Sequence, residues 1–242
     1  AIDESLSLQK FTCCQQQQQE EADETTSCDD SDNNKEEKKS GDGGGDDNRT
    51  KLQLTSLSLR PSIAYAMVHL ANIQSGERVV DLCCGSGMIA AVANQTLRHS
   101  SSVVDYHWIA GDYEIQVLEK AMFNNESSSS SLDTNNQKRS NTTDFMYWSF
   151  TNLPLRDNSV DVIISNLPFG KKVGTRDLNK KIYPPMMKEL ARVLTNGTGR
   201  AVLLSTEKGL MHNGVKSNQS LIKLENRVTI NMGGMDVFLY VI

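Results

Sequence analysis

The chain predicts an α/β fold: a doubly wound, mostly parallel seven-stranded sheet with an antiparallel C-terminal edge strand. Three observations carry that expectation. From residue 59 onward, apolar runs of strand length alternate with stretches of helical periodicity, the pattern of strands joined by crossover helices. The first of these strands ends in a glycine turn, Cys83-Cys84-Gly85-Ser86-Gly87. The last two are separated by a short segment holding Gly233-Gly234, a hairpin signature that puts an antiparallel pair at the sheet edge.

The elements follow in order. Leu59-Arg60-Pro61 opens a helix, because proline suits the first helical turn and Ile63, Met67 and Leu70 recur at helical spacing. Arg78–Leu82 reads as a buried strand, and Met88–Leu97 as the apolar helix that follows the glycine turn. Tyr106–Gly111 is the second strand, with Tyr113–Phe123 as its helix. Phe145–Phe150 and Val160–Ser165 are the third and fourth strands. Leu178–Leu194 is a strongly amphipathic helix, Arg200–Ser205 the fifth strand, and Glu225–Asn231 with Val237–Ile242 the closing hairpin. Ligands of such sheets bind at the carboxyl ends of the strands near the switch point. The first and fourth strand ends are therefore expected to be neighbours.

The 242 residues would hold one large domain or two small ones, but not all of them look foldable. Residues 15–50 hold a glutamine run followed by acidic and polar residues, with too little apolar surface to offset ordering entropy. Glu126–Thr143, rich in Ser and Asn, reads as a loop inserted in the fold. Net charge is −5, yet residues 20–47 alone carry twelve acids against three lysines, which leaves residues 48–242 mildly basic. Lys171–Arg192 holds seven basic residues against two acidic. That excess fits either a phosphate-bearing partner or an ordinary solvated helix face.

Five cysteines occur as Cys13-Cys14, Cys28 and Cys83-Cys84, with no Cys-x-x-Cys pair, and the four histidines are scattered, so no metal site is legible. An odd cysteine count without a signal peptide points to reduced thiols and an intracellular home. No apolar run approaches the length of a membrane span. The chain begins with Ala1, so an upstream part is expected.

Two motifs carry chemistry. Asp81 ends the first strand, and Gly85 and Gly87 in the following turn let backbone approach a ligand closely. There Asp81 is suited to hold an ammonium group through water, and Asp112, ending the second strand, to take both hydroxyls of a ribose. Gly85-x-Gly87-x-x-Ala90 matches the dinucleotide fingerprint only weakly, and packing alone would also use these glycines. Asn166-Leu167-Pro168-Phe169-Gly170 directly follows the fourth strand. By itself it reads as a strand-ending turn. Beside a glycine turn and a ribose acid it reads as a grip for an amino group. The Asn166 amide oxygen and the Leu167 carbonyl accept two N–H bonds, Pro168 fixes the turn, and Phe169 stacks on a base. The combination fits S-adenosylmethionine and an exocyclic amine as methyl acceptor, with acceleration from positioning and preorganised dipoles.

Together these segments resemble the class I S-adenosylmethionine-dependent methyltransferases, and among them the THUMP-associated RNA guanine-N2 methyltransferases. The resemblance runs through Leu59–Ala64, Val80–Gly87, Ile109–Asp112, Asn152–Arg156, Ser159–Lys172, Tyr183–Leu204 and Gly233-Gly234. It implies a Rossmann-like methyltransferase domain over 51–242 with a disordered insertion at 126–143. It also implies that 1–12 ends a connection from an upstream THUMP region, followed by a disordered acidic linker over 13–50. On this resemblance Cys83, Tyr113, Ser149 and Phe150 join Asp81, Gly85, Gly87, Asp112 and Asn166 around the cofactor. Ser149 stands where the family often has an acid, which passes more of the adenine contact to Phe150. Lys171, Lys172 and Arg176 join Phe169 against the substrate.

The resemblance further implies formation of N2-methylguanosine in tRNA, a small zinc-binding activator subunit on the sheet edge, and a cytoplasmic or nuclear home. The same chemistry on a small nuclear RNA, or a catalytically silent RNA-binding scaffold, would use the same fold. Reversing Lys171 and Lys172 to Glu is expected to weaken RNA binding and flatten its dependence on salt. A slope unchanged from wild type in a salt titration would return these lysines to an ordinary solvated face.

Overall fold

Successive residues of the central strands point to opposite faces of one sheet, and this chain supplies apolar side chains to both. The computed structural model describes residues 58–98, 105–129, 142–169 and 175–242. All lie in the second of two units, Thr50–Ile242. Residues 1–50, Lys171 and Lys172 lie outside the described residues, as does most of the Ser-rich insertion.

Seven strands form one sheet in the order β3-β2-β1-β4-β5-β7-β6. They are β1 (Arg78–Asp81), β2 (His107–Asp112), β3 (Thr142–Tyr147), β4 (Val162–Asn166), β5 (Arg200–Ser205), β6 (Asn226–Asn231) and β7 (Asp236–Val241). All pairs are parallel except β5–β7 and β6–β7. The glycine hairpin thus returns β7 between β5 and β6, and the expected antiparallel edge is present. Among the described residues, α1 (Pro61–Ala71) leads into β1, and α2 (Met88–Arg98), α3 (Ile115–Ser129), α4 (Arg176–Val193) and α5 (Lys208–Ser217) lie between later strands. Among the described residues, no helix is long and apolar enough to cross a membrane.

Val79, Val162, Ile164, Val202, Leu204 and Leu239 face one layer, where α1, α2 and α3 contribute Met67, Ile89 and Leu118. Val80, Ile163, Ala201, Leu203 and Tyr240 face the other, against Tyr183, Met186, Met187 and Leu190 of α4 and Met211 of α5. The period of two is what a strand requires when both of its faces are covered.

Local chemistry fixes the helix ends. Pro61 occupies the start of α1, and Asn72 ends it in the left-handed region at φ 46°. Leu70, expected within the apolar stripe, is 40% exposed, because the buried stripe of Ala64, Met67, Val68 and Ala71 leaves it on the rim. Arg200 ties α1 to the sheet, donating to the carbonyls of Ala71 and Asn72 and pairing with Glu77. The Thr175 hydroxyl caps α4 by accepting from the Leu178 N–H at 3.1 Å. Pro184 and Pro185 inside α4 remove the donors for the carbonyls of Lys180 and Lys181, and both of those residues are exposed to water.

Three further features differ from expectation. α3 runs on to Ser129 and β3 begins at Thr142, so both flanks of the Ser-rich insertion are regular structure. Residues 148–153 form a turn rather than the end of β3, with a bridge between Ser149 and Asn152. α5 has no counterpart in the sequence reading. Gly209 and Gly214 weaken its propensity, and packing supplies what propensity does not: a Cβ at Gly214 would lie 2.5 Å from Met187 Cγ, so only glycine lets α5 approach α4 this closely.

Gly111 is the tightest glycine among the described residues, for a Cβ there would sit 1.9 Å from Trp148 Cε2. Trp148 is itself fixed by donating its indole N–H to the Leu82 carbonyl at 3.0 Å. Gly111→Ala is therefore expected to cost about 3 kcal/mol or more. Gly209→Ala, in open space within α5, should be neutral or stabilise by up to about 1 kcal/mol. Thermal denaturation of the two variants measures the contrast.

Candidate functional site

β1 pairs with β4 through Val79–Val162 and Val80–Ile163 and with β2 on its other side, so three strand ends share one rim. They open into a cavity of about 660 Å³. Cys83, Gly85, Asp112, Tyr113, Phe150, Asn166, Leu167, Pro168 and Phe169 all line it.

The glycine turn is clamped from below. The Gly85 N–H donates to Asp112 Oδ2 at 3.0 Å and the Glu114 N–H to Oδ1 at 3.2 Å. Gly85, which lines the cavity, has φ 53°, and a Cβ there would meet nothing within 4 Å among the described residues. Burial raises the Asp112 carboxyl above its usual value, opposed by these backbone N–H groups.

Asp81 lies deeper. Its Oδ1 accepts from the Ser165 hydroxyl at 2.8 Å and the Cys83 N–H at 3.3 Å. Its Oδ2 is buried without a partner among the described residues. Burial, with a smaller contribution from the Asp112 charge, pushes Asp81 up to about 7.

The Asn166 turn is held by its backbone. The Leu167 N–H donates to the Leu204 carbonyl at 2.9 Å. The Pro168 carbonyl accepts from the Tyr183 hydroxyl and the Asn179 amide, both at 3.1 Å. The Phe169 carbonyl accepts from Thr206 Oγ1 at 3.3 Å. Ser205 Oγ lies 2.7 Å from the Tyr183 hydroxyl and accepts the Glu207 N–H. Burial raises the Tyr183 phenol, which therefore stays protonated as a donor. With its backbone thus occupied, the turn leaves the Asn166 side-chain oxygen buried and unpartnered among the described residues.

Four residues expected at the site are not on this cavity. Asp81 supports the turn from beneath it, its accessible surface being near zero. Gly87 packs on α3, where a Cβ would come within 3.1 Å of Ala121. Ser149 turns its hydroxyl to Thr151 Oγ1 at 2.8 Å. Arg176 lines an adjoining cavity of about 410 Å³ with Phe169, Thr206, Glu207, Met235 and Asp236.

The sequence reading also missed contributors. Arg60, Lys120, Met232 and Met235 line the main cavity, and Asn179, Tyr183, Ser205 and Thr206 brace the turn. Asn179 and Tyr183 stand four residues apart on the buried face of α4. A polar residue in that apolar stripe was the available signal.

A family model for RMKL-like methyltransferase domains, UPF0020, matches residues 49–234. The tRNA (guanine(6)-N(2))-methyltransferase THUMP3 of Mus musculus is 33% identical over 76% of this chain and 36% of its own length. The U6 snRNA (guanine-N(2))-methyltransferase THUMPD2 of Homo sapiens is 33% identical over 65% of this chain and 27% of its own. The chain thus spans about a third of the length of these relatives. The crystal structure of TrmN from Thermus thermophilus superposes with a TM-score of 0.58 at 26% identity, over 76% of this chain and 48% of that one.

The elevated Asp81 value makes a pH prediction. A carboxyl that binds its proton more tightly folded than unfolded contributes stability that is complete below its usual value of 3.8 and is lost as pH rises to about 7. The slope of one such group is at most about 1.4 kcal/mol per pH unit. Asp81→Asn should remove it, so melting curves of the ligand-free variant should fall less steeply with pH across this window. Parallel slopes for variant and wild type would sink the assignment.

Proposed function

The chain belongs to the RMKL-like methyltransferase domain family, and from that premise we propose that it methylates the exocyclic N2 of guanosine in tRNA, using S-adenosylmethionine. The observation that carries the reading is the Asn166 amide oxygen, buried at the cavity and bound to nothing among the described residues. A buried acceptor without a donor costs free energy, and an N–H of the substrate amine is the donor such an oxygen suits.

The residues present fit the cofactor. The cavity volume lies within the usual range for a ligand of that size. Gly85 keeps side-chain bulk out of it, and Asp112 is set at the end of β2 by two backbone donors. Asp112, Gly85, Tyr113, Phe150 and Cys83 would hold S-adenosylmethionine, which when bound supplies an electrophilic methyl group.

The chain's own contribution is placement. Asn166 Oδ1 accepts one amine N–H and the Leu167 carbonyl a second, which turns the nitrogen lone pair toward the cavity. Phe169, which borders both cavities, stacks on the base. The Pro168 carbonyl already holds two hydrogen bonds and serves to keep the turn from rotating. Because these dipoles are fixed before substrate arrives, little reorganisation is left for the reaction step. No group at the turn must change its protonation to start it.

The curated relatives are named for guanine-N2 methylation of tRNA or of U6 snRNA, which supports RNA as substrate class. A THUMP region would capture that RNA, and Arg176, Lys171 and Lys172 would meet its phosphates. A small zinc-binding activator subunit would cover an open sheet edge, for which β3 and β6, both largely accessible, are the two choices. A cytoplasmic or nuclear location goes with these substrates.

Mass spectrometry of nucleosides from RNA treated with the full-length protein, its activator and cofactor should reveal new N2-methylguanosine. None in any RNA class would count against the reading. Asn166→Ala is expected to abolish transfer while leaving cofactor affinity, measured by calorimetry, within a few-fold. A large loss of cofactor binding instead would mean the amide grips the cofactor, not the base.

A further inference from the structure

We propose that Glu207 reads the N1–H of the target guanine and so selects guanine among bases that carry an exocyclic amine; the inference rests on the function proposed above. Glu207 lines the 410 Å³ cavity that adjoins the main one, and Phe169 and Met235 border both. A base stacked on Phe169 with its amine at Asn166 would lie at this junction.

The Glu207 carboxylate is held in register with the amine grip. The Asn179 side-chain amide spends one N–H on the Pro168 carbonyl at 3.1 Å and the other on Glu207 Oε1 at 3.0 Å. One planar group thereby fixes the turn and the carboxylate to each other. The second oxygen, Oε2, accepts no hydrogen bond from the described residues. The side chain does not cap its own helix either, although Glu207 occupies the N-cap position of α5. Asp236 is the poorer candidate, since it is exposed and its Oδ1 already accepts from Asn231 at 3.3 Å.

The chemistry matches one base. Guanine presents N1–H directly beside its exocyclic amine, two donors on one edge. Adenine presents its amine beside a ring nitrogen that only accepts. A fixed carboxylate oxygen next to the amine grip therefore bonds guanine and repels adenine, the discrimination that a polar site achieves best. The Asn166 turn alone would grip either amine, so a second group must choose between them.

2-Aminopurine tests this directly, because it carries the same amine at C2 but lacks the N1 hydrogen. The full-length protein with its activator would be assayed on RNA transcripts containing guanosine or 2-aminopurine ribonucleoside, with S-adenosylmethionine affinity measured in parallel by calorimetry. In E207Q, whose amide is able to donate to a bare N1, the kcat/KM preference for guanine should shrink at least about tenfold with cofactor affinity unchanged. In Glu207→Ala, guanine should lose at least about tenfold and 2-aminopurine only a few-fold. Equal losses on both substrates in both variants would make Glu207 a structural support and overturn the inference alone. A wild-type protein that methylates guanine nowhere would overturn the proposed function, and this inference with it.

Discussion

Parallel pairing of β1 with β4 at the centre of the sheet is the constraint on which the site depends. Two short strands, buried on both faces, stop at the same rim, and the chain beyond each must turn away from the core. One exit is Cys83–Gly87, the other Asn166–Phe169. Backbone leaving a buried strand carries polar groups that need partners. The Leu167 N–H finds the Leu204 carbonyl, and the Cys84 N–H finds the carbonyl of Gly111. Each exit is thereby tied to a neighbouring strand, and the turns stand across from one another as rigid walls.

A second layer of hydrogen bonds makes the walls specific. Tyr183 and Asn179 of α4 hold the Pro168 carbonyl, Thr206 just past β5 holds the Phe169 carbonyl, and Ser205 at the end of β5 backs the Tyr183 hydroxyl. On the opposite side, Arg192 holds the 153–157 loop by the carbonyls of Leu153 and Leu155 and is itself paired with Glu189. That loop follows Phe150, so the aromatic wall of the cavity is braced as well. The acids at the ends of β1 and β2 act differently, Asp112 lining the cavity and Asp81 lying beneath it. Asp81 and Asp112 are both raised by burial, and the Asp112 charge further opposes the ionisation of Asp81. A cationic ligand above them would relieve that repulsion, which is the electrostatic preference expected of a sulfonium cofactor.

Much of this was legible in the sequence. The strand–helix alternation gave the sheet, because a strand covered on both faces must be continuously apolar, and Val79-Val80 and Val162-Ile163-Ile164 are. Gly233-Gly234 gave the returning edge, and both turns at the rim were readable because glycine, proline and asparagine mark backbone exits. α5 was not legible, since its two glycines weaken helix propensity and its close approach to Met187 is set by packing. Nor was the displacement of Ser149 from the cavity. Whether a residue just past a strand faces a ligand or its own turn depends on where the strand ends, and β3 ends two residues before it.

The sequence by itself determined the order of elements, the glycine and asparagine turns, and the pairing of an acid with each of the first two strand ends. These are local properties, set by side-chain periodicity and by the conformations each residue allows. Tertiary structure alone decided which polar side chains serve the turns. Asn179 and Glu207 are 28 residues apart in the chain, and only the packing of α4 against the end of β5 brings one amide between Pro168 and that carboxylate. A hydrogen bond of this kind has no sequence period, because it depends on two surfaces meeting after each has formed.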